Sequence, residues 1–94
     1  MKKYGRIDDN QKRIVSALRT AGCRVLSLAS TGGGCPDLLV CIAGELRLFE
    51  IKDGAKSASR RKLTPHQVQF HKDWPVTVVT DDIEALQAIG VLKC

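Results

Sequence analysis

The chain has 94 residues, of which 44% are hydrophobic and 27% charged, with a net charge of +5 and a pI near 9.3. That bounds one globular domain over residues 1–94, small enough for a second copy to supplement its core. No apolar run has the length of a bilayer span and no apolar signal core follows the basic start, so the charge points to an anionic partner, nucleic acid before membrane.

Residues 1–7 read as a frayed basic arm. Asp8, Asp9 or Asn10 can cap a helix running to about Thr20, with Ile14, Val15, Leu18 and Ala21 at helical spacing. Lys12, Arg13 and Arg19 fall mainly on its other side, and Gly22 suits the position that ends it. A strand is predicted over about Arg24 to Ala29, followed by a glycine-rich loop from Ser30 to Cys35. The triple glycine lacks the G-x-x-x-x-G-K-[ST] pattern and leads into a strand, which excludes a nucleotide P-loop. Its expected role is to let backbone or substrate come close beside Asp37.

Two apolar runs then flank Ala43-Gly44, the signal of a β-hairpin. If those two residues form the turn, Ile42 faces Glu45, and stepping back puts Asp37 opposite Glu50. Strand side chains alternate, so Glu50 and Lys52 share a face and Asp37 joins them. Ala43 suits the positive φ of a type I′ turn poorly; the alternative is a bulged turn, which shifts the pairing. Two carboxylates and an amine meeting on a mostly apolar sheet are costly unless paired or bound to a metal. A hard divalent cation resolves the cost, since Mg²⁺ takes few protein carboxylates plus waters. The bland reading of Asp37 is an aspartate capping its own loop, and of Glu50 and Lys52 an exposed charge pair. The apolar Leu46 and Leu48 positions on the same face argue against the latter.

Asp53 to Lys62 carries Lys56, Arg60, Arg61 and Lys62 among small residues and reads as a mobile surface loop. Its place just after Lys52 favours phosphate contact over a merely solvated charge run. Thr64, Pro65 and Gln67 fit the N-cap, N1 and N3 positions of a capping box, opening a helix to about Lys72 or Asp73. That box alone would explain Gln67. His66 and His71 read as surface or helix-end histidines, and no pattern joins them into a metal site. Trp74-Pro75 breaks the helix, and Val76 to Val79 form a β-branched strand. Asp81 caps a last helix to Ala88 or Ile89, with Ile83, Leu86 and Ile89 as its apolar face. The four cysteines, Cys23, Cys35, Cys41 and Cys94, lack zinc-site spacing and read as reduced thiols of a cytoplasmic protein. The element order is α-β-β-β-α-β-α. An antiparallel meander of three strands is expected, with the last strand joining in parallel.

Pro36-Asp37 with Glu50-Ile51-Lys52 resembles the PD-(D/E)XK nuclease signature. With Gly34-Cys35-Pro36-Asp37-Leu38-Leu39, Phe49-Glu50-Ile51-Lys52 and Leu63-Thr64-Pro65-His66-Gln67, the chain most resembles the virus-type replication-repair nuclease (VRR-NUC) domain, over roughly Asn10 to Leu86. The resemblance implies a restriction-endonuclease-like αβββαβ core of the α/β (α+β, mixed-sheet) class with a C-terminal helix. It implies hydrolysis of DNA phosphodiesters with Mg²⁺, for which Mn²⁺ may substitute, and no nucleotide cofactor. Asp37, Glu50 and the Ile51 carbonyl would bind the metal. Lys52 would orient or activate the attacking water, and Gln67 would support Lys52 or a phosphate. Small members without extra domains are similar to phage-type homodimers that cut branched DNA, which here implies action in a host cytoplasm. The family's first-helix glutamate aligns with Gln11, which can hydrogen-bond a metal-bound water but brings no charge. That departure keeps open a nuclease-fold module that binds DNA or a protein without cutting. Phosphate contacts do not read the sugar, so RNA also stays open as substrate.

Overall fold

The computed structural model describes residues 9–91; the basic arm, Asp8 and Cys94 lie outside the described residues. Helix α1 spans Asp9–Thr20. Its end is fixed by two backbone bonds, Gly22 N–H to Arg19 O and Cys23 N–H to Leu18 O, each 3.0 Å. This is the Schellman arrangement, and the buried Cys23 follows it into the sheet.

The sheet contains β1 (Arg24–Ser27), β2 (Leu38–Ile42), β3 (Glu45–Ile51) and β4 (Val76–Val79), in that spatial order. Strands β1 to β3 form the expected antiparallel meander, and β4 lies parallel to β3. The hairpin is the two-residue one: Ile42 pairs with Glu45 and Leu38 with Phe49. Ala43 and Gly44 take φ of 52° and 81°, so the type I′ turn forms and no bulge shifts the register. Ala43 bears a left-handed conformation that costs roughly 1–2 kcal/mol relative to glycine. The first strand is shorter than predicted. At its end the Ser27 hydroxyl accepts from the Ala29 N–H at 3.3 Å, which turns the backbone out of the ladder.

One sheet face carries the core. Ile14 and Leu18 of α1, Val25, Leu38, Val40, Phe49 and Val79 of the strands, and Ala85 of α3 (Asp82–Ala88) are buried together. The Asp81 carboxylate caps α3 as expected, accepting from the Glu84 N–H at 2.8 Å. Ile83 does not join the apolar stripe; it is half exposed, and Ala85 with Ile89 is buried instead. The small Ala85 side chain lets α3 lie against α1.

The opposite face is different. By alternation it presents Leu26, Leu39, Leu46, Leu48, Val76 and Val78, of which Leu26 is 62% and Leu46 68% exposed. Glu50 and Lys52 are nonetheless no exposed charge pair, their side chains being 4% and 14% exposed, although Leu46 on the same face is itself exposed. Helix α2 (Pro65–Asp73) has no buried residue at all. It reaches the sheet through polar contacts at its first turns. The segment read as an irregular loop also holds a 3₁₀ helix, Ala58–Arg61. The Asp53 carboxylate accepts from the Ala55 N–H at 2.9 Å, and the Arg61 Nε–H donates to the Lys56 carbonyl at 3.0 Å. Such side chain-to-backbone bonds carry no apolar periodicity, so pattern reading misses them. Among the described residues no helix is long and apolar enough to cross a membrane.

Candidate active site

Asp37 is the residue before β2, where the ladder is already formed. Its N–H donates to Phe49 O at 3.0 Å and its carbonyl accepts from the Leu28 N–H at 2.8 Å. Its carboxylate accepts from the Ile51 N–H at 2.7 Å through Oδ2, which aims it across the strands toward Glu50. Pro36, fully buried, fixes the approach.

Glu50 is 3% exposed. Burial pushes its carboxyl up to about 8, the Asp37 carboxylate beside it adds to the rise, and Lys52 and Gln67 oppose it. The Lys52 ammonium lies 3.8 Å from Glu50 Oε2, beyond hydrogen-bond reach. Near neutral pH the two therefore do not form a full ion pair; Glu50 mostly retains its proton, shared toward Asp37. Oε1 of Glu50 is buried and receives no donor. Two carboxyl groups thus converge on one proton with no other donor at Oε1, a site that a hard cation would complete in that proton's place.

Lys52 follows the last residue of β3, its backbone N–H tied to Val79 O at 3.0 Å. Its side chain is 14% exposed and donates to Gln67 Oε1 at 2.9 Å. Gln67 does two jobs with one amide. Its Oε1 also accepts from the Thr64 N–H at 2.9 Å, completing the capping box with the Thr64 hydroxyl, while its Nε2 donates to Glu50 Oε2 at 3.0 Å. Two donors on one oxygen fix which way the amide faces. The start of α2 and the cluster are therefore held by the same side chain.

The glycine loop contributes through Gly34, at φ 83°. A Cβ there would run into the His66 carbonyl and come within 2.9 Å of the Gln67 amide nitrogen. The loop does bring backbone close, as expected, but its partner is the first turn of α2. Gly32 and Gly33 meet nothing within 4 Å.

The structure thus brings Asp37, Glu50, Ile51, Lys52 and Gln67 together. Among the described residues no three His, Cys, Asp or Glu side chains cluster as a metal cage. Gln11 is buried on α1 and lines, with Lys12, Arg19, Val25 and Leu38, a cleft of about 440 Å³. Lys56, Arg61 and Lys62 are exposed beyond Lys52. The side chain of Arg60 lies outside the described residues. His71, read as a surface or helix-end histidine, lies in the last turn of α2, and its Nε2 is buried. Burial lowers its pKa, and the Lys52 charge lowers it further. The only sequence signal was its spacing, one turn beyond Gln67.

The profile of the family described as archaeal Holliday junction resolvase (Hjc) matches residues 2–86. A solved structure described as a VRR_NUC domain is 29% identical over 95% of this chain and 96% of its own, with a TM-score of 0.66. The resemblance read from the motifs is thus borne out, as is the restriction-endonuclease-like mixed-sheet fold. No curated protein matches the chain.

Proposed function

This chain belongs to the archaeal Holliday junction resolvase family, and on that premise we propose that it is a divalent-metal-dependent DNA endonuclease acting on branched DNA. The observation that carries the reading is the buried Glu50 carboxyl beside Asp37, with Lys52 held next to it by Gln67. Asp37, Glu50 and the Ile51 carbonyl would hold Mg²⁺ or Mn²⁺, which offsets phosphate charge and acidifies water. The chain's own part is geometric. The Ile51 N–H orients Asp37, and Gln67 holds Glu50 and Lys52 at a fixed separation. Lys52, desolvated and charged, orients the attacking water or clamps the phosphate. Lys56, Arg60, Arg61 and Lys62 would follow the DNA backbone next to the cut.

The exposed apolar face supports a homodimer. Leu26, Leu46 and Val78 on the sheet and the half-exposed Trp74 beside it form a surface that a second copy would cover, giving two sites for opposed strands.

The test is cleavage of matched linear, flapped, forked and four-way DNA with Mg²⁺ and with Mn²⁺. Metal-dependent incision of the branched substrates is expected. Binding without incision under both metals overturns the enzyme reading and favours a non-cutting DNA-binding module. Equal incision of all substrates would remove the structural preference.

A further inference from the structure

We propose that His71 is a positioning residue for Lys52: its buried Nε2, without a donor in this structure, takes an ammonium N–H when Lys52 turns from Glu50 toward α2, so that two successive turns of the helix hold the lysine. The inference rests on the nuclease reading above and adds to it a residue that the sequence motif does not contain. Gln67 and His71 are four apart, so their side chains lie one above the other on the same face of α2. Gln67 already takes one Lys52 N–H at 2.9 Å. An ammonium has three N–H groups. The Glu50 oxygen, at 3.8 Å, is too far to take a second as a formed bond. His71 Nε2 is buried without a donor, a costly state that a donor would relieve. Lys52 is close enough for its charge to bear on the imidazole, and together with burial it favours the neutral ring. A neutral imidazole with Nδ1 protonated presents Nε2 as an acceptor.

The arrangement has a chemical rationale. Glu50 serves two claims, one from the lysine and one from any cation between the carboxylates. If Lys52 depended on Glu50 alone, drawing that carboxylate toward a cation would release the lysine. Gln67 and His71 are neutral acceptors and do not compete for the cation. They hold Lys52 from the side of α2 whatever Glu50 does.

The experiment has two arms on the full chain. In the first, single-turnover cleavage and binding of a four-way junction are measured for His71→Ala and His71→Gln. His71→Ala is expected to cut about tenfold slower at unchanged junction affinity, the scale of one lost hydrogen bond to a charge. His71→Gln, which retains an acceptor, should recover most of that rate. In the second, imidazole NMR follows both histidines in the wild type and in Lys52→Met. The His71 ring nitrogens should shift and their titration midpoint should rise in Lys52→Met, while His66 is unmoved. His71→Ala cleaving at the wild-type rate, or a His71 spectrum indifferent to Lys52→Met, overturns the proposal. If the wild type cuts no substrate, the functional reading falls, and the NMR arm still decides whether Lys52 acts on His71.

Discussion

Replacing Glu50 with glutamine should stabilise the metal-free protein, and increasingly so as pH rises from about 4.5 to about 8. In the unfolded chain the Glu50 carboxyl titrates near 4.5, whereas in the folded chain burial and Asp37 push it up to about 8. Between those values the folded state holds a proton that the unfolded state has lost. The folded state binds more protons there, so stability is full below about pH 4.5, falls across the whole interval, and levels off above about 8. A rise of that size sets a ceiling of about 5 kcal/mol. Solvent screening reduces the expected effect to about 2–3 kcal/mol. Glutamine is neutral at every pH and retains the shape of the protonated acid. Urea unfolding of the wild type and Glu50→Gln, from pH 5 to pH 9 in chelator, measures the difference directly. The two should be nearly equal at pH 5. At pH 9 the variant's midpoint should lie higher by about 2 M, taking a slope of about 1 kcal/mol per molar urea. Mg²⁺ at pH 9 should close the gap by stabilising the wild type and not the variant. Parallel pH profiles for the two proteins would refute the reasoning, because Glu50 would then carry no perturbed proton.

Lys52→Ala should leave folding and junction affinity nearly intact while slowing cleavage about a hundredfold to ten-thousandfold; near wild-type rates would remove Lys52 from the mechanism. Gln67→Glu preserves the capping-box chemistry but brings a third carboxylate to the cluster, so cleavage should fall at least about tenfold with helix content by circular dichroism unchanged. Gly34→Ala should lower both stability and rate, because its Cβ meets the backbone of α2, whereas Gly33→Ala should show only the local cost of a left-handed alanine, about 1 kcal/mol. Equal thermal shifts in the two glycine variants would mean that the Gly34 contact does not position α2. Replacing Arg60, Arg61 and Lys62 together by alanine should weaken binding to all DNA sequences alike and flatten the salt dependence of log affinity by up to about three units. An unchanged slope would move the DNA track to Lys12, Arg13 and Arg19 on α1.

What the sequence by itself determined is what short-range chemistry dictates. The helix ends at Gly22 and Asp81, the Thr64 capping box and the breaks at Pro36 and Pro75 follow from local backbone preferences. The hairpin register follows from Ala43-Gly44, and because strand side chains alternate, that register alone set Asp37 beside Glu50 and on the side of Lys52. Tertiary structure decided the rest. Glu50 is buried and meets Gln67 on a helix that begins fourteen residues after β3 (Ile51 to Pro65), while Leu46 and Leu48 remain exposed or half-buried on an uncovered face. No local pattern says which side chains of a weakly amphipathic helix will face a neighbour. The second use of Gln67, the approach of Gly34 to His66 and the buried nitrogen of His71 all depend on where α2 sits. That placement is fixed by a few polar contacts between distant segments. Such contacts have no periodicity along the chain, so they become legible only when the chain is folded.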